Sequence, residues 1–264
     1  MKTLRIYFAY FLQFLMQRLA YKGDFFASIF SNMLVTIGGL LFVIFLLDGQ
    51  TIQSLQGWSR SEVLFIYGYA MISMALFSTV APNLYRFGDK YIIEGQFDRV
   101  LLRPLNSACQ VLFESFNLES IGSLCIGVGT LLYASESLSI TYSLIDILWL
   151  IVSSFSAAVI LLSVFVLIAS LSFHFEDRVG IAPPVYNLIA FGRYPLPVFN
   201  NVIQFILRWI VPFAFVAFYP ATHFLKRQGF ELFCYLTPFV AIVSASIAAL
   251  AWTIGVRSYQ STGS

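Results

Sequence analysis

An all-α polytopic membrane protein is the fold class this sequence predicts, and three observations carry it. Of 264 residues, 59% are hydrophobic and only 11% charged, with a mean hydropathy of +0.83, whereas soluble domains are about 25% charged. Phe alone occupies 28 positions, more large rings than so short a chain could hide in a soluble core. The apolar residues also fall in long charge-free runs, and about 20 such residues cross a bilayer as a helix.

Taken in order, residues 3–23 (TLRIYFAYFLQFLMQRLAYKG) are apolar around much of a helix, with Arg5, Arg18 and Lys22 spaced along it. That pattern reads as an interfacial helix lying on the bilayer. The other reading, an extra span, would put Gln13, Gln17 and Arg18 in hydrocarbon. Clean runs then predict spans over about 25–47, 62–82, 146–173 and 231–256, and a further span over about 110–134 contains Glu114 and Glu119. Between residues 179 and 229 the chain is apolar but cut by Arg193 and Arg208 and by six prolines. Its charge-free pieces are about 14 residues long, short of a full crossing. This predicts one short span over 179–194 and a re-entrant segment over 198–222, with a single ordinary span at about 201–222 as the competing parse. The expected whole is one transmembrane domain over 1–264, with six spans and re-entrant helices before the last.

Lys and Arg placement sets orientation. Lys2, Arg5, Arg18, Lys22, Arg86, Lys90, Arg99, Arg103, Arg178 and Arg257 fall on one side, whereas the loops 48–61 and 135–145 hold only Arg60. Both termini are therefore expected in the cytoplasm, with no cleavable signal peptide pattern at the start. Arg193, Arg208, Lys226 and Arg227 are exceptions to this bias.

No catalytic constellation is present in the sequence. A nucleotide-binding P-loop needs Gly-Lys followed by Ser or Thr, and no Gly-Lys dipeptide occurs. The two histidines, His174 and His223, have no ligand-spaced companions, so no metal site is expected. Cys109, Cys125 and Cys234 lie in apolar runs and read as small hydrophobes. Net charge is only +2, and no nucleic-acid partner is expected. Glu119 and Glu114 remain as acids within an expected span, where a charge is expensive. Each is either a group on a translocation path or a partner for a neighbouring helix.

Residues 92–105 read IIEGQFDRVLLRPL. Ile93, Phe97, Val100, Leu101 and Leu105 recur near helical spacing, so one face is apolar and the other charged. Such a helix either lies on headgroups or docks a soluble partner.

Four stretches carry a family resemblance: EGQFDRVLLRPL after the second span, FEDRVG and YPLPVF around the fifth, VPFAFVAFYPATHFL before the last, and the ending GVRSYQSTGS. In this order they resemble the type-2 ABC transporter permeases, particularly the small six-span stand-alone subunits of bacterial exporters. The resemblance implies a subunit of the bacterial cytoplasmic membrane that is not itself an enzyme. It would bind no cofactor, and ATP and Mg would be held by two partner ATPase subunits. A second permease, identical or related, would complete the transporter. The resemblance makes 84–105 a coupling-helix region, with Glu94, Gln96, Phe97, Asp98, Arg99, Leu102 and Arg103 docking the ATPase. It makes the N-terminal segment a connecting helix, and it gives the broken region an outer gate, for which Arg193, Pro195, Arg208, Pro212 and Pro220 are the candidates. The translocation wall so implied offers many aromatics, including Phe30, Phe42, Phe45, Tyr67, Tyr69 and Phe77, which suit an amphiphilic or lipid-like substrate. The competing function is a secondary transporter or a structural membrane subunit, but such a carrier would be expected to show midplane acids and an inverted repeat.

Overall fold

The computed structural model describes residues 2–48, 55–175 and 182–260. Among them the regular structure is helical, apart from an isolated bridge between Leu55 and Trp58. Helices α1 (Lys2–Ala20) and α2 (Lys22–Asp48) are separated only by Tyr21, and α3 (Arg60–Val80) follows. A short α4 (Pro82–Tyr85), a π-helical turn (Gly88–Ile93) and α5 (Phe97–Leu101) lead to α6 (Ser107–Phe113) and α7 (Ser120–Ser137). Then come α8 (Leu144–Leu171), α9 (Ala182–Ile189), α10 (Asn201–Phe205), α11 (Phe218–Leu225), α12 (Glu231–Cys234) and α13 (Thr237–Ser258).

Four helices, α2, α3, α8 and α13, are long and apolar enough to cross a membrane, and the bent pair Asn201–Ile210 with Phe213–Leu225 makes up to five candidate spans. The six-span expectation is met only to that extent. The span expected over 110–134 is two helices, α6 and α7, interrupted between Phe113 and Ser120. Asn117 explains the break: its N–H donates to the Thr79 carbonyl (2.9 Å) and its side chain accepts the Glu119 N–H (3.1 Å), so these groups leave the helical ladder. The span expected over 179–194 is represented by α9 and a 3-10 turn, Ala190–Arg193. Residues 176–181 lie outside the described residues. Twelve helical residues rise only about 18 Å, short of the roughly 30 Å hydrocarbon core, and Pro195 and Pro197 supply no N–H with which to continue. The last span begins at Thr237 rather than 231, because α12 is a separate turn and Pro238 takes the first turn of α13, where its missing N–H does no harm. Likewise α3 stops at Val80, just before Pro82.

The bundle is built around α3. In its most apolar stretch 78% of residues are buried, against 6% for α2, so α3 is the core and α2 the rim. Helix α7 packs along α3 through glycine: a Cβ on Gly68 would lie 2.8 Å from the Leu131 nitrogen, and one on Gly127 would lie 2.9 Å from the Met71 Cβ. This is small-residue packing of membrane helices. Gly122 does the same against α2, where a Cβ would meet the Met33 side chain and the Ile29 carbonyl.

The bend between the two helices of the pair Asn201–Ile210 and Phe213–Leu225 measures 78°. A π turn ends at Ile210, Val211 turns extended, and Pro212 prevents the ladder from resuming. Every residue from Phe213 to Tyr219 is buried, at 2% exposure or less, which is the condition on which non-helical backbone is tolerated in a membrane. Ser73 of α3 donates to the Val216 carbonyl (3.2 Å), satisfying a group that the bend frees.

The glycine packing gives a direct test. Gly68→Ala is expected to destabilise the protein by about 1–3 kcal/mol through overpacking. Gly129→Ala, facing open space, should leave thermal unfolding in mild detergent unchanged.

Candidate functional site

The amphipathic segment expected over 84–105 folds as the π turn, a reversal at Gly95 (φ +68°) and α5. Phe97 and Val100 point inward, and Phe97 is wholly buried among Phe87, Phe173, Trp252 and Tyr259, with ring centroids 4.9–6.1 Å apart. Phe173 follows α8, and Trp252 and Tyr259 lie in α13 and at its exit, so a five-residue helix is pinned to two spans at once. Gln110 of α6 donates to the Val100 and Leu105 carbonyls (3.1 Å each), closing the segment's far end. Beside the cluster, burial and then the Asp98 carboxylate push the Tyr259 hydroxyl up to about 12.

The outward face is different. Ile93, Glu94, Arg99, Leu101 and Leu102 are exposed, Leu102 at 85%. Gln96 is half-buried and donates to Glu94 (2.9 Å), and Arg103 donates to the Tyr10 hydroxyl of α1 (3.2 Å). Within the expected docking set, Phe97 therefore needs correcting: it lies under the surface and anchors the helix, whereas Ile93 and Leu101, expected on one face with it, are exposed. The reversal at Gly95 breaks the helical period between Ile93 and Phe97, and Leu101, one turn beyond Phe97, lies at the exposed end of α5.

Glu114 and Glu119 also stand elsewhere than a continuous span would put them. Glu114 closes α6, accepts a hydrogen bond from the Tyr91 hydroxyl and lies 3.9 Å from the Lys90 ammonium. The neighbouring carboxylate adds to burial in raising the Tyr91 phenol above its ordinary value. Glu119 precedes α7 at the break and sits 3.8 Å from Arg18 of α1. Tyr7, Phe11 and Phe14 of α1, on one face, stack against Phe113 and Phe116. These contacts bind α1 to the α6–α7 junction, and both acids lie near the α4 end of α3.

The residues expected at a gate divide into two groups. Arg193 reaches the middle of α3: its Nε lies 3.3 Å from the Met74 sulfur and a terminal nitrogen 3.4 Å from the Tyr67 hydroxyl. It lines a cavity of about 380 Å³ between α2, α3 and α7, with Asn32, Thr36, Asn117 and Ser123 among the walls. Arg208 lies over the Tyr219 and Phe233 rings (5.8 and 5.3 Å), Pro212 makes the bend, and Pro195 and Pro220 are buried.

A third cluster was not anticipated. At the α3 start, Ser59 and Glu62 form a capping box, and Ser143 and Asp146 form another at the start of α8. Each acid also holds the α11 end of the bent pair. Arg227 grips Glu62 with two hydrogen bonds (2.7 and 2.6 Å), while His223 pairs with Asp146 (2.8 Å) and with the Tyr235 hydroxyl (2.8 Å). Arg227 also stacks on Trp58, 4.5 Å from its ring centroid, and the Glu62 carboxylate raises its pKa further. The signal was in the sequence: S-x-x-E and S-x-x-D just before apolar runs mark helix starts.

Apolar helices of crossing length, a buried broken pair and an anchored amphipathic segment define a multi-pass helical membrane protein. Residues 30–263 match the sequence model of a family described as ABC-2 family transporter protein. The chain belongs to that family, whose membrane subunits typically lack an ATPase domain and work with ATPase partners. Comparisons with curated proteins and with solved structures gave no match.

The anchoring reading predicts a contrast between neighbours. Phe97→Ala is expected to cost about 3–5 kcal/mol, the usual range for a buried ring. Leu102→Ala should change the unfolding midpoint by no more than about 0.5 kcal/mol equivalent, as for an exposed side chain.

Proposed function

We propose that this chain is the membrane permease of an ABC exporter in the bacterial cytoplasmic membrane, with both termini in the cytoplasm. ATP and Mg are bound and hydrolysed by two separate ATPase subunits, and a second permease, identical or related, completes the transporter. The observation that carries this reading is the two-faced segment 92–105. Its outer face offers exposed Ile93, Leu101 and Leu102 beside Glu94 and Arg99, and its inner face is fixed through Phe97 to α8 and α13. A force applied at the outer face is thereby delivered to two spans.

In this mechanism α1 is the connecting helix, tied to the segment through Arg103 and Tyr10 and to α7 through Arg18 and Glu119. The bent pair, latched by Glu62–Arg227 and Asp146–His223, acts as the outer gate. The ATPases supply work by binding two conformations of the permease unequally, as any such switch requires. The exposed apolar face of α2, including Phe26, Phe30, Phe42 and Phe45, supports an amphiphilic or lipid-like substrate or a second permease against it.

Arg99→Glu combined with Leu102→Asp tests the docking. The ATPase is expected to co-purify on the order of tenfold less, since central interface residues carry most of the binding energy. Undiminished co-purification and unchanged substrate-stimulated ATP turnover would refute the reading.

A further inference from the structure

The cavity around Arg193 has a chemistry that the gate role does not use. Tyr67 and Met74 are seven residues apart on α3, about 10.5 Å along the axis, and the guanidinium touches both. It therefore sits near the middle of a spanning helix, where a cation is expensive unless paired or wet. Among the described residues no carboxylate pairs with it, and its two contacts, a thioether and a phenol, are weak acceptors for a group with five N–H donors.

The amides in the same cavity are also left as donors. Asn32 accepts from Ser123 through its carbonyl oxygen (2.6 Å), and Asn117 accepts the Glu119 N–H through its own (3.1 Å). Neither NH2 group donates to a protein acceptor among the described residues. The hydroxyls nearby are committed to one another: Thr36 to Ser123 (2.9 Å), and Ser120 to Thr79 (2.7 Å) and to the Asn117 carbonyl (2.6 Å). Among the described residues that line the space, Arg193 is the only charged one. Its volume, about 380 Å³, is within the usual range for small-ligand sites.

The space is open on the α2 side. Asn32 and Val35 are shared with a groove of about 580 Å³ that continues along α2 to Asp24 and Glu119. Val35 is 74% exposed and is followed along the rim by exposed Phe42 and Phe45. The groove's two acids lie at its far end, and Arg18 offsets Glu119 there. An anion entering sideways from the rim meets the arginine and the amides.

We infer that this cavity is the headgroup site for an anionic amphiphile: its phosphate or carboxylate on Arg193, Asn32 and Asn117, its apolar tail along the outer face of α2. This deepens the transport reading by naming the substrate class. Arg suits the task because its planar fork matches an oxyanion bidentately, which Lys cannot do.

The test uses the full-length permease alone in mild detergent, so a failure of ATPase docking leaves it unaffected. Dioleoyl phosphatidylglycerol, dioleoyl phosphatidylcholine and inorganic phosphate are titrated separately, and retained ligand is read by native mass spectrometry. The anionic lipid is expected to bind about tenfold or more tighter than the zwitterionic one, the worth of one charge-assisted hydrogen bond set. That preference should vanish in Arg193→Gln, persist in part in Arg193→Lys, and remain whole in Lys226→Gln, which removes an exposed charge elsewhere. Asn32→Ala, with the arginine intact, should weaken the anionic lipid severalfold and serves if Arg193→Gln does not fold. Equal retention of both lipids, an unchanged preference in Arg193→Gln or in Asn32→Ala, or inorganic phosphate bound as tightly as the anionic lipid would each overturn the inference.

Discussion

An unpaired backbone N–H or C=O in hydrocarbon costs several kcal/mol, yet this chain interrupts its helices at 114–119, at 194–200 and at 211–217. The constraint that follows is a supporting helix with no face in lipid, and α3 meets it. Its residues 62–75 are buried almost without exception. Its polar groups are placed where neighbours break: Ser73 at the Val216 carbonyl, Thr79 at Asn117 and Ser120, Tyr67 at Arg193. Gly68 lets α7 come close enough for α3 to serve both neighbours.

A central helix of this kind also explains why the two ends of the molecule are built so differently. At the α3 start the fastenings are ionic and geometric, with Arg227 on Glu62 and His223 on Asp146. Such pairs are partly exposed and individually modest, so they suit parts that open and close. At the other end the fastening is the ring cluster of Phe87, Tyr91, Phe97, Phe173, Trp252 and Tyr259. Close-packed rings resist deformation and transmit displacement. The proposed function, with force received at one end and yielding at the other, would use that asymmetry.

Much of this was legible in the sequence, and the limits have physical causes. The long charge-free runs located α2, α3, α8 and α13 because hydropathy reports removal from water, whether into lipid as for α2 or into the protein core as for α3. The prolines located the bent pair, since Pro212 removes a donor wherever it sits. Periodicity failed between Ile93 and Phe97 because Gly95 resets the helical phase, and no window spanning a positive-φ turn preserves a period. It failed at 110–134 because Asn117 competes for backbone partners with its side chain, an effect that average hydropathy ignores. The pairing of Glu62 with Arg227, 165 residues apart, and the gathering of Arg193 with Asn32 and Asn117 depend on tertiary contacts alone. The capping boxes were readable, but their second use was not.

The donor excess around Arg193 bears on how the permease could avoid trapping its own cargo. Were the arginine paired with a buried carboxylate, an incoming anion would have to break that pair and leave a charge exposed to hydrocarbon. A thioether and a phenol impose no such barrier, and the amides are held in place by acceptor bonds that a ligand leaves intact. The site is thus organised before the ligand arrives, which lowers the ordering cost of binding. Release then depends on geometry: any shift of α9 relative to α3 separates Arg193 from Tyr67 and from the two amides, which belong to α2 and to the α6–α7 junction. In the proposed mechanism the link between the amphipathic segment and the donor set would be the α6–α7 junction, where Asn117 is hydrogen-bonded to Thr79 at the α4 end of α3.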